Sequence, residues 1–202
     1  MFELRTLNSM RLALLGLLIW AAVPSLTQEV PVFAITQDQS SVKFHVKASV
    51  ALDGTFDKWD ASMTFTSPDI TTGVLDIKIQ ADSVNSGSGM KDGKLKSKEF
   101  FNVKDDPFIT FHSTKVVQTG PTTVEMPGTF TIRGVSKPET LTFTITGAGT
   151  GAGEIKGTMV FDRKEFGMTH GIPFVTIADS IDVTVELKGK RISGPALVLA
   201  QK

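Results

Sequence analysis

The stretch VKFHVKASV, residues 42–50, decides the fold class. Every second residue from Val42 to Val50 is apolar or small, and the residues between them are Lys, His, Lys and Ser. In an extended strand successive side chains point to opposite faces, so a period of two separates an apolar face from a polar one. The stretch therefore predicts a β-strand with one face in a core and the other in solvent.

The same alternation recurs along the chain and predicts eight strands in all; the other seven fall within residues 59–65, 75–81, 109–117, 124–132, 141–145, 155–161 and 181–187. Turn-forming residues separate the early strands, with Asp53-Gly54 after the first and Ser67-Pro68-Asp69 after the second. Eight sequential strands favour an all-β antiparallel barrel or a two-sheet sandwich. A barrel is the better prediction because closure removes exposed strand edges.

Two segments depart from the alternation. In KDGKLKSKEFF, Lys91–Phe101, the residues Leu95 and Phe100 or Phe101 stand near helical spacing, which predicts a short helical segment over Met90–Phe101. Residues 163–175 carry several apolar side chains between glycines and a proline, which predicts a loop that is not fully solvated.

The first residues are typical of a secretory signal. Arg5 and Arg11 precede the apolar run LALLGLLIWAAV, residues 12–23, which Pro24 ends. This run of twelve residues is shorter than the roughly 20 that cross a membrane, although a retained anchor is the alternative. We expect a processing region at 1–34, one domain at 35–190 and a short tail at 191–202. The mature protein would then be exported and have no stable membrane span.

Composition limits the function classes. The 21 basic and 21 acidic side chains balance, so the chain lacks the basic character that phosphate-backbone binding requires, and we do not expect a nucleic-acid partner. The absence of Cys excludes disulfides, Cys-ligated zinc and a thiol nucleophile. There are 14 Phe and no Tyr, so aromatic bulk comes without hydroxyl groups.

Motifs for catalysis or metal binding are absent from the sequence. The three histidines, His45, His112 and His170, are too far apart in sequence for their spacing to force convergence on a metal. No G-x-S-x-G elbow occurs, and GAGTGAG, residues 147–153, connects two predicted strands instead of leading to a helix. We therefore predict a protein that is not an enzyme and that holds no metal.

The apolar strand faces offer two readings of the interior. They carry six phenylalanines and three methionines, namely Phe44, Phe65, Phe111, Phe130, Phe143, Phe161, Met63, Met126 and Met159. A barrel of about eight strands can be filled by such side chains or can hold one small ligand. The alternation alone does not choose between a packed core and an apolar cavity.

Several segments together resemble the YceI-like family of exported polyisoprenoid-binding proteins. The resemblance spans about Ile35 to Leu187 and rests on SSVKFHVK, the Gly54-Thr55-Phe56 turn, ADSVNSG, MKDGKLKSKEFFNV, DPFITFHSTKV, GTFTIRGVSKPETL, FDRKEFGM and IADSIDVTVEL. It implies a lipocalin-like barrel with a long pore that holds an isoprenoid quinone or a similar amphiphilic lipid, and no other cofactor. It also implies a periplasmic location.

On this reading the pore is lined by residues of the apolar faces, and we expect Phe44, Val46, Met63, Phe65, Leu75, Ile77, Phe111, Met126, Phe130, Phe143, Met159 and Phe161. The expected mouth residues are Lys94, Leu95, Phe100, Arg163, Phe166 and Met168. The family usually has His where this chain has Lys94, so the resemblance does not carry its head-group preference over to this position.

Three roles remain open at this point. The barrel is expected to carry, store or sequester the lipid. It could instead act as an enzyme on the lipid head group at the mouth, or as a packed barrel that works through its surface, for example in a stress response. The sequence leaves the oligomeric state open, with a homodimer as one candidate.

Overall fold

The computed structural model describes residues 29–49, 52–171 and 175–200. The expected signal sequence precedes this part of the chain. The strands are β1 Val32–Ile35, β2 Ser41–Ala48, β3 Leu52–Phe56, β4 Trp59–Thr64, β5 Val74–Gln80, β6 Val84–Asn85, β7 Phe108–Ser113, β8 Val117–Gln118, β9 Thr123–Ile132, β10 Val135–Thr146, β11 Ala152–Asp162 and β12 Ile177–Ser193. One α-helix, α1 Gly89–Lys96, and four 3₁₀ turns, at Gln37–Gln39, Ile70–Thr72, Ala81–Ser83 and Arg163–Phe166, complete the described elements.

All strand pairings in this part of the chain are antiparallel, which confirms the predicted fold class. Twelve strands stand where eight were predicted. The difference arises because two long extended segments are each interrupted, as β3–β4 and β5–β6, and because β1 and β8 are short additions paired to β12 and β9.

The two interrupted segments close the sequence of strand pairings into a ring. β3 pairs with both β2 and β6, whereas β4 continues the same segment and pairs with β5. At the interruption the Asp57 amide donates to the Ser83 carbonyl (3.1 Å), and the Gln80 amide donates to the Lys58 carbonyl (2.9 Å). The pairings therefore run β2, β3–β4, β5–β6, β7, β9, β10, β11, β12 and back to β2, in eight positions.

The turn predicted at Asp53-Gly54 is wrong, because both residues lie inside β3. Gly54 pairs with Phe44 of β2, and a Cβ on Gly54 would lie 2.3 Å from the Phe44 ring. A glycine inside a strand often marks the close approach of another group. Here it leaves room for the Phe44 ring, a role that sequence alone does not distinguish from a turn.

The expected domain boundaries both fall inside paired strands. Residue 34 lies in β1 and residue 190 in β12, and Ala34 pairs with Lys190. Beyond β12, the Val198 amide donates to the Pro68 carbonyl (2.8 Å), and Gln118 exchanges hydrogen bonds with the backbone of Ala200 (2.7 and 2.8 Å). The folded unit therefore includes residues on both sides of the expected limits.

The helical prediction is confirmed in its first part: α1 covers Gly89–Lys96, and Leu95 is its buried residue. Hydrogen-bonded turns carry the chain from there to Phe101, whose amide donates to the Leu95 carbonyl (2.9 Å). Within the described residues, we find no helix of the length and apolar character that a membrane crossing needs.

A network of charged side chains links three strands on the outer face. Glu186 of β12 accepts hydrogen bonds from Lys156 of β11 (2.9 Å) and Lys43 of β2 (3.2 Å). These two bonds lower the pKa of Glu186 from 4.5 to about 2. A carboxyl group whose pKa is lower in the folded than in the unfolded state stabilises the fold when the pH is above its pKa in the unfolded chain. This contribution is lost as the pH falls through the pKa of the folded state.

We predict that Glu186→Gln lowers the free energy of unfolding by about 1 kcal/mol at neutral pH, since the pairs are partly exposed. The difference from the unsubstituted protein should shrink between about pH 4.5 and pH 2, where native Glu186 takes up its proton. Urea unfolding of both proteins at several pH values in this range measures the difference in their free energies of unfolding. Glu125→Gln, at an exposed β9 site with no ion pair in the described structure, is the control and should show no such trend.

Gly157 of β11, like Gly54, leaves room for a phenylalanine ring that a larger residue would exclude. An added Cβ there would lie 2.2 Å from Cε1 of Phe143, which is 0 % exposed. We predict that Gly157→Ala destabilises the fold by about 1–3 kcal/mol, because the enclosed ring has nowhere to move. Gly93→Ala in α1, which meets nothing within 4 Å, should be neutral or stabilise by up to about 1 kcal/mol. Equal effects in urea unfolding would contradict this account.

Candidate functional site

The larger of two cavities that we describe lies at one end of the barrel, under α1. It has a volume of about 560 Å³ and is lined by residues of β2, β3, β5, β7, β9, β11 and β12, of α1 and the turns that follow it, and of the loop that contains Arg163 and Met168. Small-molecule sites commonly have volumes of about 300–1,000 Å³. The cavity is therefore large enough for a ligand.

Two groups of phenylalanine rings form opposite parts of its wall. Phe44, Phe56 and Phe101 have ring centroids 5.6–6.3 Å apart. Phe130 and Phe161 lie 5.1 Å apart, and both contact the fully buried Phe166 behind them at 5.3 Å. Edge-to-face and tilted contacts at these distances are favourable, so the rings support one another as a wall.

The twelve expected pore-lining residues divide into three sets. Four line this larger cavity: Phe44, Val46, Phe130 and Phe161. Three line a smaller apolar cavity of about 90 Å³ at the opposite end, near the hairpin of residues 147–153: Met63, Phe65 and Met126. Five line neither cavity and are buried between them: Leu75, Ile77, Phe111, Phe143 and Met159.

The interior is thus not the single long pore that the resemblance implied. No described residue lines both cavities, and Leu75 and Phe143 in the layer between them are each 0 % exposed. The middle of the barrel is filled by close-packed side chains, as protein interiors usually are. A ligand in the larger cavity would meet this layer as a floor.

Five of the six expected mouth residues line the larger cavity: Lys94, Leu95, Phe100, Arg163 and Met168. The sixth, Phe166, supports the wall from behind and does not line it. α1 places Lys94 and Leu95 because it follows β6 after a short turn. The amide (2.8 Å) and hydroxyl (2.6 Å) of Ser86 in that turn donate hydrogen bonds to the carboxylate of Asp92 in α1, and these bonds lower the pKa of Asp92.

Arg163 organises the loop beside the mouth. Its guanidinium donates to the carbonyls of Ala178 (3.1 Å), His170 (3.2 Å) and Met168, and to the Asp179 carboxylate (3.0 Å). The residue is 6 % exposed, so its donors are largely committed to the protein. Arg163 therefore shapes the cavity and has little capacity left to bind a ligand.

Lys94 is held differently, at the edge of the solvent. Its ammonium pairs with Glu99 and lies 5.8 Å from the centroid of the Phe100 ring. Both partners in the pair are about 40 % exposed, and the hydrogen bond from Lys94 lowers the pKa of the Glu99 carboxyl group. A pair this exposed is weak and can exchange partners.

Sequence reasoning did not assign many residues of the site, Lys91 of α1 among them, and three others need comment. Phe56 and Phe101 line the cavity, and Arg133 donates to the carbonyls of Phe166 (3.2 Å) and Lys98 (3.0 Å), which joins the two loops at the mouth. Phe56 follows Gly54 and was assigned to a turn, whereas Phe101 was read as an element of helical spacing. Arg133 has a positive φ of 54° in the Arg133-Gly134 hairpin turn, and no sequence motif indicated its bonds to distant loops.

None of the three histidines lines either cavity. His45 Nδ1 is 2.7 Å from Asp53 Oδ1, and His112 Nδ1 is 2.6 Å from Asp76 Oδ1; all four side chains are partly exposed. His170 is exposed in the loop after Met168. Among the described residues no group of three His, Cys, Asp or Glu side chains is placed to hold a metal ion.

We predict that Arg163→Met destabilises the fold by about 2–4 kcal/mol, because it leaves buried carbonyl groups without donors. Hydrogen exchange of residues 166–171 should become faster. Lys164→Met is the matched control, since Lys164 pairs with the same Asp179 carboxylate (2.7 Å) but is half exposed. Lys164→Met should lower the free energy of unfolding by less than about 1 kcal/mol. A decrease equal to that of Arg163→Met would refute the structural role of Arg163.

Comparison with known proteins agrees with this architecture. A UPF0312 protein of Pseudomonas syringae pv. tomato is 28% identical over 141 residues, covering 67% of this chain and 72% of the relative. The crystal structure of Burkholderia cenocepacia BcnA superposes with a TM-score of 0.70 at 23% identity, covering 77% of this chain and 99% of that one. A polyisoprenoid binding domain from Saccharophagus degradans, implicated in plant cell wall breakdown, gives a TM-score of 0.64 at 14% identity, with coverage of 80% and 99%.

At these identities the two solved structures support the fold alone. The family model described as "YceI-like domain" matches residues 33–189, which include every element from β2 to β11 and most of β1 and β12. The chain therefore belongs to the YceI-like family.

Proposed function

We propose that this protein binds a polyisoprenoid or similar long-chain amphiphile, for example an isoprenoid quinone, in the larger cavity. The observation that carries the proposal is the 560 Å³ cavity itself, walled by phenylalanine and aliphatic side chains and bordered by basic residues of α1. The Saccharophagus degradans neighbour is a polyisoprenoid binding domain, which supports the same ligand class.

The apolar wall favours a chain over a compact polar ligand. Burial contributes about 0.8 kcal/mol for each methylene, whereas association itself costs on the order of 4–15 kcal/mol. A ligand with few polar contacts therefore needs on the order of ten or more buried carbons to bind with measurable affinity. A polyisoprenoid tail satisfies this requirement, and its branched methyl groups can pack between the rings.

In this proposal the protein is an exported, periplasmic lipid-binding protein that carries, stores or sequesters its ligand without changing it chemically. The signal-like residues 1–23 support export. The placement of the described histidines outside the lining of both cavities supports binding over catalysis on a head group at the mouth.

The test is to purify the protein without detergent, extract it with organic solvent and identify the lipid by mass spectrometry. We expect a lipid of polyisoprenoid mass. Ala48→Trp, which fills part of the larger cavity, should lower the molar ratio of lipid to protein at least several-fold. Ala148→Trp, in the hairpin at the smaller cavity, is the matched control and should leave the ratio unchanged.

Phe130→Asp gives a second reading, because it places a charge in the apolar wall and should also lower the lipid ratio. Circular dichroism reports whether each variant is folded. Native mass spectrometry that shows an empty unsubstituted protein, with no uptake of added quinone, would overturn the proposal.

A further inference from the structure

The charged residues that line the larger cavity all have the same sign. Lys43, Lys91, Lys94 and Arg163 are the charged members of the lining, and no Asp or Glu belongs to it among the residues described. The smaller cavity differs, since its lining includes both Arg191 and Glu154. The basic bias is therefore a property of the larger cavity and is not shared by both ends of the barrel.

Two of the four cations are already committed. The Lys43 ammonium is bound to Glu186 on the outer face (3.2 Å), and Arg163 is bound to backbone carbonyls and Asp179. This leaves Lys91 and Lys94, both on α1. Residues three apart lie on the same side of a helix, so one group at the mouth can contact both.

Lys91 and Lys94 are also the cations most free to act. Lys91 is exposed and has no ion-pair partner in the described part of the chain. Lys94 is paired only with the half-exposed Glu99 and borders Phe100, which is itself part of the cavity wall. The two ammonium groups thus lie where an apolar wall meets water.

We infer that the larger cavity selects amphiphiles with an anionic head group, a phosphate or a carboxylate, which Lys91 and Lys94 bind while the chain occupies the apolar wall. This inference rests on the proposed function and names the class of its ligand. Hydrogen bonds between an ammonium group and an anion are about twice as strong as neutral ones. A neutral head at the same place would leave both lysines without this gain.

The test compares two probes with the same chain, farnesyl phosphate and farnesol, by calorimetric titration of delipidated protein at low ionic strength. We expect the phosphate to bind at least about ten-fold more tightly, which corresponds to about 1.4 kcal/mol. Palmitate against hexadecanol repeats the comparison for a carboxylate and separates a general preference for anions from a preference for phosphate. Raising the salt concentration should reduce both ratios.

The variant carrying Lys91→Gln and Lys94→Gln should reduce the phosphate-to-alcohol ratio towards one. The matched control carries Lys188→Gln and Lys190→Gln, the same change in charge at exposed β12 positions near the opposite end, and should keep the ratio. A ratio that survives in the first variant, or is lost equally in the control, would overturn the assignment of these lysines.

Glu99→Gln provides a test in the opposite direction. It removes the carboxylate that competes for Lys94, so the affinity for farnesyl phosphate should rise about two- to five-fold. Equal binding of both probes to the unsubstituted protein would refute the anionic preference and leave the proposed function standing. Binding of none of the four probes would refute the proposed function itself.

Discussion

The geometry of the site depends on one backbone constraint, the interruption of an extended segment at Asp57 and Lys58. The bend allows a single segment to pair with β2 along its first half and with β5 along its second half. Ser83 accepts hydrogen bonds from the Asp57 and Lys58 amides, and the Gln80 amide donates to the Lys58 carbonyl, so hydrogen bonding continues through the bend. Because β6 pairs with β3, the chain leaves β6 beside β2 and β3, which places α1 over the larger cavity.

The barrel interior divides its apolar side chains between two tasks. Phe143, Leu75 and their neighbours fill the middle and gain dispersion contacts on all sides. Phe130 and Phe44 have a free side towards the cavity and depend on adjacent rings for support. Side chains that face the cavity lack dispersion contacts on that side. The packed middle of the barrel therefore contributes more of the fold's stability than the end that can bind a ligand.

Periodicity predicted most of the fold because it reports which side chains share a face. It identified α1 as a break in the alternation, whereas the family resemblance, not the periodicity, placed Lys94, Leu95 and Arg163 near the mouth. Periodicity did not identify β3, because a glycine after an aspartate is typical of a turn, and the sequence does not show that Gly54 lies inside a strand. It could not separate Phe130 from Phe143 either: both alternate with threonines on β-strands, and only the distance between opposite walls decides which of them faces a cavity.

The side-chain chemistry at the mouth was less predictable than the elements that carry it. Arg163 and Lys94 are both cations in the lining, yet one is saturated by carbonyl groups and the other is held by a single exposed carboxylate. That difference arises from backbone carbonyl groups of residues up to fifteen positions away, which no local pattern encodes.

The pairing of β1 with the end of β12 determines on which side of the barrel a tether at either end of the described chain would lie. The Val30 carbonyl lies against Gly194, and residues 197–200 pack beside the smaller cavity, so both ends of the described chain leave the barrel on the side away from α1. A tether at either end, whether a surface, a resin or a fused protein, would therefore hold the barrel with its larger opening directed outward and unobstructed.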